Sequence, residues 1–146
     1  MKYLLTLSIV FFSFFSFSQS LNIANVQTDY LEAVKLSRNQ DKGILYVFTK
    51  NSNNETLRDF EANFLKSPEF QKLTSKFVVL QVNCSDSVDS ESNTAMYCKR
   101  LTPIYNPMEI FPAIMVTDKS QKPLGDLMTD FSKEKTNANL QKLNSY

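Results

Sequence analysis

The chain contains no histidine and no tryptophan, and only two glycines and two cysteines in 146 residues. Without histidine it lacks the commonest general base and the commonest metal ligand. Two cysteines form no ligand cluster, so nothing here argues for a transition-metal site or any other bound cofactor. The two glycines, Gly43 and Gly125, stand far apart, which excludes a glycine-rich loop that cradles phosphate. Charge of one sign is lacking as well. Setting Lys2 aside with the leader described below, 15 basic and 15 acidic side chains remain, a balance that carries neither a nucleic-acid footprint nor a polybasic membrane patch.

The one long apolar run lies at the start. Met1-Lys2-Tyr3 is short and basic, Leu4–Phe17 is apolar with interspersed serines, and Ser16-Phe17-Ser18 sets small residues for cleavage after Ser18. This is the layout of a secretory signal peptide over residues 1–18; a membrane anchor is the rival, but the apolar stretch is shorter than the roughly 20 residues a spanning helix needs. No cysteine follows the cut, which argues against a lipid anchor. The remainder, residues 19–146, is one domain by length. Its expected setting is the periplasm or the exterior of a Gram-negative bacterium, with no membrane contact after cleavage.

Thr28 is positioned to cap a helix to about Gln40, with Tyr30, Ala33 and Val34 on one face. Ile44–Phe48 and Phe77–Val82 are continuous apolar runs, the pattern of strands buried on both faces. Between them, Leu57, Phe60, Phe64 and Leu65 recur at helical spacing, and Ser52 with Glu55 has the form of a capping box. Ser67-Pro68-Glu69 interrupts this helix and restarts it. A serine-rich loop over 83–92, a helix near Asn93–Leu101 and proline-containing coil over 102–107 follow. Ala113–Thr117 reads as a third strand, Leu124–Phe131 as a fourth after a hairpin turn, and Ser132 as the cap of a last helix. Alternating helices and doubly buried strands predict an α/β three-layer sandwich around a mixed sheet of about four strands.

This order, together with Phe111-Pro112-Ala113 at the head of the third strand, resembles the thioredoxin-like fold family, in which that proline is commonly cis. Phe60–Phe70 (F-E-A-N-F-L-K-S-P-E-F) resembles the helix that follows the active site in exported thiol-disulfide interchange proteins. The resemblance covers about Thr28 to Leu143. It implies a Cys-x-x-Cys pair at the turn after Phe48, on Asn53/Thr56 or Asn54/Leu57, yet no cysteine stands at any of these positions. The turn offers Asn51, Ser52, Asn53, Asn54 and Thr56 instead. These read either as a solvated helix cap or as hydrogen-bonding groups for a ligand; no base is evident to make Ser52 or Thr56 a nucleophile.

Cys84 and Cys98 have three readings: a structural disulfide, two free thiols, or a redox pair. An even pair in an exported chain favours the first. Pro112 reads as a strand-shaping residue, while the resemblance also implies that the backbone at Phe111 can pair with an extended peptide. The carboxylate pairs Asp29/Glu32 and Asp59/Glu61 read as solvated helix faces. The glycosylation sequons at Asn54 and Asn83-Cys84-Ser85 are too common to weigh much, while Asp86-Ser87-Val88 resembles an O-glycosylation motif of some Gram-negative envelopes and stands in a loop of the right kind. The expectation is an exported, redox-inactive thioredoxin-like protein that binds a protein or peptide through Ser52, Asn53, Asn54, Thr56, Phe111 and Pro112. The rivals are a thiol-disulfide oxidoreductase working through Cys84 and Cys98, and an accessory subunit without such a surface.

Overall fold

The two uninterrupted apolar runs lie side by side as parallel strands at the centre of a sheet. In the computed structural model, which describes residues 25–51 and 54–146, β2 (Gly43–Thr49) pairs with β3 (Phe77–Asn83) over their full length, Gly43 against Phe77 and Thr49 against Asn83. The expected leader, residues 1–18, lies outside the described residues, as do Ser52 and Asn53. β1 (Val26–Gln27) adds to the far side of β3 in parallel, and β4 (Ala113–Thr117) adds antiparallel to β2, giving the order β1-β3-β2-β4.

The absence of alternation in the strands has a direct consequence. Because successive side chains point to opposite faces, each central strand feeds two cores. Leu45, Val47, Val79 and Ile114 face one core, shared with Phe60, Phe64, Leu73 and Leu140. Ile44, Tyr46, Phe48 and Leu80 face the other, shared with Ala33, Tyr97, Leu101 and Tyr105. Helices α1 (Tyr30–Gln40) and α4 (Asn93–Tyr105) cover the second face. The first is covered by α2 (Glu55–Asp59), α3 (Pro68–Lys76) and α5 (Lys133–Asn144). The result is the expected three-layer α/β sandwich with a mixed four-stranded sheet.

Several local expectations are corrected. Asp29, not Thr28, caps α1, its Oδ1 accepting from the Glu32 N–H at 2.9 Å. Asn54 caps α2 by accepting from the Leu57 N–H at 2.9 Å, two residues later than a cap at Ser52 would begin it. Between α2 and α3 the chain widens into a π-helical turn, Phe60–Leu65. The wider turn lets Phe60, Phe64 and the adjacent Leu65 all reach the core. There Phe131 meets Phe60 edge-on at 4.7 Å between ring centroids.

α4 continues through Pro103 to Tyr105, where coil was expected from Thr102. Proline removes one helical hydrogen bond, but packing outweighs the loss: the Tyr105 ring stacks on Tyr46 at 4.6 Å and its hydroxyl donates to the Gln121 carbonyl at 3.0 Å. The expected strand Leu124–Phe131 does not form. That segment and the proline before it touch β4 at two isolated points, Thr117–Pro123 and Ile114–Met128. The fourth strand of the sheet is instead the short β1.

Candidate functional site

Register alone assembles one end of the sheet. β2 and β3 run parallel and end together at Thr49 and Asn83, whereas β4 runs the other way and begins there, with Ala113 opposite Phe48. One step before Ala113, Pro112 therefore stands level with Thr49. The turn after β2, the loop after β3 and the segment leading into β4 meet at this edge.

The turn is tied to the loop after β3. The Cys84 N–H donates to the Thr49 carbonyl at 2.7 Å, extending the ladder by one residue. The Asn51 N–H donates to Ser85 Oγ at 2.8 Å, and the Asn51 side-chain amide donates to Ser87 Oγ at 3.3 Å. Ser85 is buried, and its own N–H is taken by Asn83 Oδ1 at 3.0 Å. Lys50 and Asp86 also approach to 3.1 Å, but both are well exposed, so the pair adds little. The turn is thus held in place by a buried hydroxyl rather than by surface charge.

The two cysteines lie immediately beside it. Cys84 and Cys98 are bridged, with their Cα atoms 5.4 Å apart, which joins the end of β3 to the middle of α4. The buried Thr102 hydroxyl lies 3.5 Å from the Cys84 sulfur and 3.6 Å from that of Cys98. A disulfide carries no S–H, so the hydroxyl is the donor to whichever sulfur it meets.

On the other side, the Phe111–Pro112 peptide bond is cis. Pro112 is buried, and Phe111 is half-buried against the core. The segment before it is fixed by Asn106, whose side chain is wholly buried. Its amide donates to the Ile110 carbonyl at 2.8 Å, and its Oδ1 accepts from the Ile110 N–H at 3.1 Å. This clamp satisfies Ile110 on both sides and delivers the next residue, Phe111, with no backbone hydrogen-bond partner among the described residues.

Of the residues expected at the site, Asn54 and Thr56 are exposed at the start of α2, and the Asn54 oxygen is already engaged in capping. Register brings Pro112 to the turn, with Phe111 just before it. Ser52 and Asn53 fall outside the described residues. Sequence reasoning missed Asn106 and Thr102 and read Ser85 only as part of a glycosylation pattern. Nothing local marks them, since their roles depend on contacts with distant segments.

Burial pushes the Tyr46 hydroxyl far above the usual phenol range, and burial likewise raises Tyr105. Both stay neutral near pH 7. Among the described residues, no three His, Cys, Asp or Glu side chains gather to hold a metal ion.

The backbone matches several solved structures. A DsbH oxidoreductase superimposes with a TM-score of 0.68 at 22% identity, over 84% of each chain. A thioredoxin from Thermus thermophilus matches at 0.59 and 14% identity, over 82% of this chain and 88% of that one. The C-terminal domain of Neisseria meningitidis DsbD, in its reduced form, matches at 0.52 and 13% identity, over 79% and 92%. No family model and no curated protein matches the chain. The fold is thioredoxin-like; at these identities the matches speak to fold alone.

Proposed function

We propose that this thioredoxin-like chain is a redox-inactive binding module that receives an extended peptide at the edge formed by Phe111 and the turn after β2. The observation that carries the reading is the Asn106 clamp: it presents the Phe111 peptide group without a backbone partner among the described residues, beside a turn that has no thiol. An unpaired peptide group at the head of a strand is what strand-addition recognition uses. Asn54 and Thr56, exposed at the start of α2, are the polar contacts of this reading and Phe111 the apolar one; Ser52 and Asn53, outside the described residues, are assigned to the same surface from the sequence.

An exported location accords with a disulfide in the domain, because such bonds persist in oxidising compartments. It also accords with the leader read at residues 1–18. Among the described residues no helix is long and apolar enough to cross a membrane.

One observation favours a second reading. The ladder bond from Cys84 to Thr49 puts the disulfide next to the same turn, so a thiol-disulfide oxidoreductase using Cys84 and Cys98 is the alternative. The two readings separate in one pair of assays. The binding reading predicts no insulin reduction above background, together with saturable anisotropy of a fluorescent, S-alkylated insulin B chain that persists in Cys84→Ser. Insulin reduction that disappears in Cys84→Ser would establish the oxidoreductase instead.

A further inference from the structure

A second site lies on the outer edge of β4, toward the end away from Pro112. At Ile114 the outer segment is in step with the strand: Ile114 and Met128 exchange N–H···O bonds, both 2.9 Å. A regular ladder continued from there would set Asp126 opposite Val116 and exchange bonds with it. Instead, the Val116 carbonyl accepts from the Leu124 N–H at 2.9 Å, and Thr117 faces Pro123. From the first contact to the second, the outer segment takes five steps while β4 takes three. The two extra residues form a bulge around Gly125-Asp126.

The bulge leaves a backbone donor over. A strand residue turns its N–H and C=O to the same side, so the Val116 N–H also points outward, and no backbone acceptor among the described residues meets it. Val116 is only 4% exposed, and an unsatisfied donor at that depth is costly.

Val116 lines a half-open cavity of ≈ 260 Å³ between the bulge and α5. Met128 and Leu143 give it apolar walls, and Lys142 and Tyr146 line it as well. A methyl group on Gly125 would stand 3.2 Å from Tyr146 Oη and 3.5 Å from Lys142 Nζ, so both polar ends lean over that glycine. Neither the Lys142 ammonium nor the Tyr146 hydroxyl has a partner among the described residues. The lining also holds a second lysine, Lys135, and two carboxylates, Asp126 and Asp130, all three exposed.

We propose that this cavity binds a small carboxylate with a short apolar body, its oxygens taken by the Val116 N–H, the Lys142 ammonium and the Tyr146 hydroxyl, its body against Met128 and Leu143. A buried N–H, a cation and a hydroxyl on one cavity are a carboxylate's complement, and the apolar walls select against a bare inorganic anion. The site does not depend on the peptide-binding reading, since it involves neither Phe111 nor the turn.

Titration of the ¹⁵N-labelled protein with hexanoate tests it, with hexylamine and inorganic phosphate as controls. Saturable shifts of the Val116, Gly125 and Met128 amides are expected, with affinity weakened roughly tenfold or more in Lys142→Met, since a charge-assisted bond is lost. Gly125→Val should fill the opening and abolish the shifts. Should that variant fail to fold, Tyr146→Phe must weaken binding while leaving the spectrum dispersed. Absence of a saturable shift at Val116, unchanged affinity in Lys142→Met, or equal binding of hexylamine or phosphate would overturn the proposal.

Discussion

Removing the Cys84–Cys98 bridge provides the most quantitative test of how the site is held. The two cysteines are 14 positions apart, so the bridge closes a loop of about 15 residues. In the chain-entropy account, closing such a loop in the unfolded state is worth about 3 kcal/mol at 25 °C. For a domain of this size, that is a fall in Tm of roughly 10 °C. The Cys84→Ser/Cys98→Ser double variant should therefore lose about 3 kcal/mol in urea unfolding, relative to the oxidised wild type. Reduced wild type should lose a similar amount. The Thr49–Cys84 ladder bond is a backbone contact, so the turn itself should keep its amide shifts in the double variant. A loss below about 1 kcal/mol, or none, would refute the structural role assigned to the bridge and strengthen the redox reading.

Three further perturbations test the frame around the site. Gly43→Ala would set a methyl group 2.0 Å from the Thr117 carbonyl oxygen, a backbone atom fixed by the sheet, so it should cost about 1–3 kcal/mol in chemical denaturation. Asn106→Ala should cost about 2 kcal/mol, because two hydrogen bonds vanish and the Ile110 groups are left unpaired; faster hydrogen exchange at Ile110 should report it. The Asp29 carboxyl is held below its ordinary value of 3.8, chiefly by the Glu32 N–H. Its folded pKa is depressed, so its contribution is present above that value and lost as pH falls through the lower folded value. Asp29→Asn should flatten that part of the acid limb in a plot of Tm against pH.

The elements legible in the sequence are those whose signal is local. The unalternating runs over 44–48 and 77–82 became the central strands because burial on both faces leaves no room for polar alternation. The Phe111-Pro112-Ala113 segment marked the head of β4 correctly. What stayed hidden depends on distant partners. β1 is two residues long and exists only because β3 offers an edge. α4 passes through Pro103 because Tyr46 and Gln121 hold Tyr105, and neither lies nearby in the chain. The strand expected over 124–131 failed on register, since a two-residue bulge leaves a strand's composition unchanged while taking its ladder out of step. For the same reason, Asn106 gave no sequence signal for its role at the site: a single asparagine after a helix is ordinary until its amide is seen spanning Ile110.

The central claim, recognition of an extended peptide at Phe111 without thiol chemistry, is tested most directly by mapping amide shifts of the ¹⁵N-labelled, oxidised protein during titration with S-alkylated insulin B chain. The account predicts saturable shifts centred on Ile110, Phe111, Asn54 and Thr56, unchanged when the probe's cysteines are replaced by serine. Shifts confined to other surfaces, or none at saturating peptide, would contradict it.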